Sequence, residues 1–133
     1  MNFLWGFSGN DTLTGGGGAD FLVGGTEDDT YLNPGSAIVL EDTGANGGLD
    51  TVVSDTTYSL FDAPYVEQLL LGGAAAIDGT GNNLANLVTG NDAANLLAGY
   101  IGNDTLVGGG GDDTLAGQAG TDDLRGGAGD DTY

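Results

Sequence analysis

A nine-residue unit recurs through this chain and leaves it few ways to fold. Copies in full register are GFSGNDTLT from Gly6, GGGGADFLV from Gly15, GGTEDDTYL from Gly24, GYIGNDTLV from Gly99, GGGGDDTLA from Gly108, GQAGTDDLR from Gly117 and the eight residues GGAGDDTY from Gly126. Each opens on glycine, carries an aspartate at position six (Asp11, Asp20, Asp29, Asp104, Asp113, Asp122, Asp131) and a Leu or Tyr at position eight. One large apolar side chain per nine residues cannot make a core alone, so the copies must stack on one another.

The unit reads as a turn and a strand. Glycines at positions one, two and four permit a tight turn. Triplets such as Thr12-Leu13-Thr14, Phe21-Leu22-Val23 and Thr105-Leu106-Val107 are rich in β-formers, with the central side chain on one face and its neighbours on the other. Two units make one coil, so repeat n stacks on repeat n+2 and the sixth-position carboxylates meet in pairs: Asp11 with Asp29, Asp104 with Asp122, Asp113 with Asp131. Repeats from Gly81 and Gly90 carry Asn86 and Asn95 at position six, which keep an oxygen and lose the charge, making weaker pairs with Asp104 and Asp113. The repeat from Gly72 has Ile77 there and offers no side-chain ligand. Asn2 and Leu4 fit positions six and eight of a partial repeat, so Asp20 faces Asn2 in a partial site.

Charge then demands a partner. Against 17 Asp and 3 Glu stands one cationic side chain, Arg125, with no Lys or His, for a formal net charge of −19. Self-repulsion of that size in a glycine-rich chain favours expansion unless a cation neutralises it. It also excludes nucleic acid and anionic lipid as natural partners. With no Cys or His, the donors are carboxylate and carbonyl oxygens, which suit a hard cation. The same absences exclude Ser/His/Asp and Cys/His catalysis, and without Lys no glycine run completes a phosphate loop. A carboxylate pair of the glycosidase kind is possible by residue type, but regular spacing already accounts for the strict-repeat aspartates as ligands. The chain is read as non-enzymatic, with no transmembrane segment.

The pattern GGxGxDxUx, U being a large apolar residue, resembles the RTX, or haemolysin-type, calcium-binding repeat family. The resemblance implies an all-β, right-handed parallel β-roll with calcium (Ca2+) held in the GGxGxD turns. Sixth-position side chains would be its ligands, with carbonyls of glycine-rich positions such as Gly109, Gly111, Gly127 and Gly129 completing about six oxygens. It further implies a secreted, extracellular bacterial protein exported by a type I system and folding on calcium. Relatives of this kind include secreted proteases, lipases and polysaccharide epimerases, so an ancillary enzyme module or an adhesin extender is the alternative.

Three segments follow: β-roll repeats over 1–32, an irregular β-solenoid spacer over 33–71, and β-roll repeats over 72–133, as one continuous solenoid. The spacer keeps strand-like runs at Ala37–Leu40, Thr51–Ser54, Thr57–Leu60 and Glu67–Leu71, between turn signals Asn33-Pro34-Gly35 and Asn46-Gly47-Gly48. Its alternation of apolar and polar residues argues against a flexible linker. Asp50 is expected as a solvated turn residue rather than an extra ligand, and Asp28, Asp112, Asp123 and Asp130 as solvated neighbours of the ligands. Repeats at 6, 15 and 24 return at 108, 117 and 126, which suggests a slice of a longer tandem array. Trp5, Phe61 and Tyr65 are expected to cover an end or edge, with no aromatic stripe evident.

Overall fold

A computed structural model describes residues 1–42 and 47–133; Asn46 of the expected second spacer turn lies outside them. The described residues wind into seven coils of two strands each. Coils one to three are β1 (Phe3–Ser8) with β2 (Thr12–Leu13), β3 (Phe21–Thr26) with β4 (Thr30–Leu32), and β5 (Ile38–Leu40) with β6 (Thr51–Ser54). Coils four to seven are β7 (Tyr58–Ser59) with β8 (Gln68–Leu71), β9 (Gly79–Thr80) with β10 (Leu87–Thr89), β11 (Leu96–Ile101) with β12 (Thr105–Gly110), and β13 (Thr114–Ala119) with β14 (Asp123–Ala128). Every strand pairing among the described residues is parallel, as an all-β roll requires.

One face is a continuous seven-stranded sheet of the even-numbered strands, β14-β12-β10-β8-β6-β4-β2. The opposite face is split into β1-β3-β5 and β13-β11-β9-β7. The split falls where the spacer departs most from the repeat. There the run expected as a strand through Leu60 stops at Ser59, and Leu60–Asp62 forms a short 3-10 helix whose first turn is capped by the Ser59 hydroxyl accepting from the Phe61 N–H at 3.3 Å.

Eighth-position residues stack inside the roll. Leu13, Tyr31, Val52, Leu69, Val88, Leu106 and Leu124 follow one another along the seven-stranded face. All but Leu124, in the last coil, are buried, and Leu22, Val39, Tyr58, Leu97 and Leu115 fill the other side. Strands flank each such residue with outward-facing neighbours, the alternation that the pleat dictates. Long strands also extend further than the triplets suggest. β3, β11, β12, β13 and β14 run through the first glycines of the next repeat, because the ladder continues past the bend, as in Tyr100↔Gln118 and Gly109↔Gly127.

An outward stripe corrects the expectation that no aromatic stripe is present. Phe3, Phe21 and Ile38 are in register across β1, β3 and β5, with the Phe3 and Phe21 rings stacked 4.7 Å apart. Trp5, Val23 and Leu40 form the adjacent row, and Phe3, Trp5 and Phe7 are mostly exposed.

Candidate metal centre

The turns at both edges of the roll are built by the repeat itself. Position two has positive φ in every strict repeat, including non-glycine Phe7 (77°), Tyr100 (84°) and Gln118 (70°), and position four does so even at Glu27 (77°). Such backbone is unusual outside glycine and bends each strand sharply into its turn. Position one must be glycine for a different reason. A β-carbon on Gly24, Gly99, Gly108, Gly117 or Gly126 would collide with the carboxylate at position six of the same repeat.

That carboxylate is held by a single oxygen. Asp29 Oδ1 accepts the Asp11 N–H at 2.8 Å, Asp122 Oδ1 the Asp104 N–H at 3.0 Å, and Asp131 Oδ1 the Asp113 N–H at 3.0 Å, each across eighteen residues. Asp104 and Asp113 in turn accept the N–H groups of Asn86 and Asn95, and Asp20 that of Asn2. The second oxygen is left over. Oδ2 of Asp11, Asp20, Asp29, Asp104 and Asp113 is buried with no hydrogen-bond partner. A buried carboxylate oxygen without a partner is costly, and five of the same kind at equivalent turns, divided between the two edges, mark places for a cation. Burial correspondingly raises the pKa of Asp29 and Asp104 above the ordinary carboxylate value. The residues therefore fit a hard cation: negative oxygens, facing glycine turns, with no cationic side chain against them among the described residues, though the Met1 ammonium lies 3.6 Å from Asp20 Oδ1. Arg125 is paired with Asp123 on the exposed surface.

Fit of sequence to profile agrees with the geometry. The RTX calcium-binding nonapeptide repeat profile matches in four copies, over residues 2–31, 79–115 and 98–133. The chain belongs to the RTX calcium-binding repeat family. It is accordingly a calcium-binding repeat module with a β-roll fold, of a structural family found in secreted bacterial proteins. No curated protein matches it, and no helix among the described residues is long and apolar enough to cross a membrane.

The two edges of this RTX roll differ. One edge carries Asp11, Asp29, Asp50, Glu67, Asn86, Asp104 and Asp122, each two residues ahead of a core residue of the seven-stranded face. Its hydrogen bonds run straight through the spacer: the Asp29 N–H donates to Asp50 Oδ1 at 2.8 Å and the Asp50 N–H to Glu67 Oε2 at 3.0 Å. Asp50 is thus 1% exposed rather than solvated, and burial pushes its pKa up to about 7. Glu67, expected only as the first residue of a strand, was missed as a member of this edge. The signal was an acid two residues ahead of a buried apolar residue, which both Asp50 (before Val52) and Glu67 (before Leu69) satisfy. On the other edge Asp20, Asn95, Asp113 and Asp131 are interrupted by Ala37, Thr56 and Ile77. Asp28, Asp112, Asp123 and Asp130 are exposed.

The asparagine repeats fill the same space differently. Asn86 Oδ1 accepts the Asn82 N–H at 2.8 Å, and its amide donates to the Val66 and Glu67 carbonyls at 3.3 and 3.2 Å. Asn95 repeats this with the Asn91 N–H and the Ile77 carbonyl. Asn82 and Asn91, at position two where strict repeats have Gly, Phe, Tyr or Gln, add side-chain oxygens that accept the Leu84 and Ala93 N–H groups in Asx-turns. Their amides reach further carbonyls of the preceding coil, Val66 at 2.8 Å and Ala75 at 2.9 Å. In these turns the asparagine oxygen lies beside the position-one glycine, where aspartate Oδ2 lies in the strict repeats, and there it has an N–H partner.

Proposed function

We propose that this chain is a calcium-dependent structural module of a secreted bacterial protein, disordered at low calcium and folding into the roll once outside the cell. Asp11, Asp20, Asp29, Asp104, Asp113, Asp122 and Asp131 supply the side-chain ligands, with turn carbonyls at Gly109, Gly111, Gly127, Gly129 and their equivalents. Segments 1–32, 33–71 and 72–133 act as one solenoid, and Asn86 and Asn95 brace the central turns rather than ligate. The buried, partnerless Oδ2 atoms at both edges carry this reading. Without a cation those charges oppose folding, and a cation bound only by the folded chain adds its binding free energy to stability.

Circular dichroism in calcium and in EGTA tests it. The β signal should be strong in calcium and largely lost in chelator; an unchanged spectrum refutes calcium-dependent folding.

The face of exposed Phe3, Trp5 and Phe7, with half-buried Phe21 stacked on Phe3, favours a second reading, an ancillary module lying against another surface of a secreted enzyme or its polymeric substrate. A glycan array probed with the calcium-loaded chain separates the two.

A further inference from the structure

The third coil alters the turn pattern, and the alteration brings three carboxylates together. Val23 pairs with Leu40, so Glu41 follows in register with Gly24 and takes the place that position-one glycine holds in a regular coil. Its side chain turns back over Gly24. A β-carbon on Gly24 would collide at once with Asp29 Oδ2, Glu41 Oε1 and the Tyr31 hydroxyl, so all three atoms converge on the hollow that this glycine leaves. Asp29, Glu41 and Asp50 each direct a carboxylate oxygen to within 4.8 Å of the others. Asp29 and Asp50 are 1% exposed, and Asp29 Oδ2, aimed into the hollow, has no hydrogen-bond partner.

We propose that Asp29, Glu41 and Asp50 form a calcium site at the seam between the first repeats and the spacer, distinct in composition from the nonapeptide turns. It rests on the calcium reading of the chain and adds a carboxylate side chain where a regular turn has glycine. Three carboxylates give the seam a formal charge of −3, and the sequence supplies no Lys or His and only a distant Arg to offset it. An all-oxygen donor set selects calcium-class ions over thiophilic or imidazole-seeking metals, and flexible carboxylates suit calcium's loose geometry better than magnesium's strict octahedron. Tyr31 orders the site from behind. Its hydroxyl accepts the Gly24 N–H at 2.8 Å and donates to Glu41, fixing that side chain over the hollow. A cleft of about 170 Å³ lies beside Asp50, lined also by Tyr65 and Glu67. The seam ion ties coil two to coil three, so calcium joins the repeats to the spacer.

The test compares the full chain with Glu41→Gln, which keeps shape and removes one charge. Calcium is counted by calorimetry, and terbium, a luminescent calcium mimic, reports on the seam through sensitisation by Tyr31. The variant should bind one ion fewer, and its tyrosine-sensitised terbium emission should drop, while calcium still produces the β signal. A variant that binds as many ions with undiminished emission overturns the seam site and leaves the turn sites standing. A wild-type chain that binds no ion removes both. Should Glu41→Gln fail to fold, diffraction from terbium-loaded wild-type crystals decides. Anomalous density among Asp29, Glu41 and Asp50 supports the proposal, and ions in the turns with none at the seam overturn it.

Discussion

Asp104→Asn should change stability in opposite directions with and without calcium. Asp104 is 1% exposed; Oδ1 accepts the Asn86 N–H at 2.8 Å and Oδ2 is buried without a partner. Turned as Asn86 is, asparagine leaves its oxygen beside the position-one glycine, where Oδ2 was and where Asn86 accepts a backbone N–H, and points its amide at the preceding coil. Asn86 shows what that amide does one coil earlier, donating to two carbonyls of the coil before it. In EGTA the substitution therefore removes a buried charge and an unsatisfied oxygen, worth about 1–3 kcal/mol of added stability. In saturating calcium it deletes a charged ligand, and the variant should fall below wild type because it loses the linkage stabilisation of that ion. Urea unfolding followed by circular dichroism, run in both media, reads both signs. The metal-free arm needs conditions, such as added osmolyte, in which wild type is partly folded. Destabilisation in both media would refute the argument that Oδ2 is an orphan awaiting a cation.

Other outcomes follow from the same geometry. Burial holds Asp50 at about 7 against 3.8, with Asp29, Glu41 and Asp104 also raised, so the folded state binds protons more tightly than the unfolded. The metal-free roll should thus lose stability as pH rises from about 4 to 7, and calcium should reverse the trend, read by thermal melts across that range. Gly108→Ala puts a β-carbon into the Asp113 carboxylate and the Gly126 carbonyl and should abolish calcium-induced structure. Gly72→Ala, whose β-carbon meets nothing nearer than the Ser54 carbonyl oxygen at 3.7 Å, should be tolerated in the same dichroism assay. Asn86→Asp with Asn95→Asp should raise calcium stoichiometry in calorimetry while weakening the metal-free chain, since two amide braces become charges. Leu106→Ala, emptying a fully buried core position, should cost about 2–5 kcal/mol in calcium-loaded urea unfolding.

The strict repeats were legible because each residue in them has a local reason: glycine where φ is positive or a carboxylate lies overhead, a β-former in the strand, an apolar residue inside. Asp11 and Asp29, or Asp113 and Asp131, could be stacked on paper because their spacing is one coil. The spacer hid its ladder by changing coil length. Thr30 pairs with Thr51 and Thr51 with Gln68, spacings on either side of eighteen, so Asp50 and Glu67 fall out of period although their place ahead of Val52 and Leu69 is regular. Asn86 and Asn95 were ambiguous because oxygen and amide share one side chain, and only the carbonyls of the coil below decide which faces inward. The aromatic stripe went unseen for a simpler reason. Successive nonapeptides lie on opposite faces, so Phe3, Phe21 and Ile38 become neighbours only at the spacing of a full coil.

Calorimetric titration of the chain with calcium, with dichroism recorded at each point, tests the central claim most directly. The account expects saturable binding of about three ions or more, one for each stacked aspartate pair, with β structure rising in step. A flat titration, or a roll fully formed before any calcium is added, would contradict it.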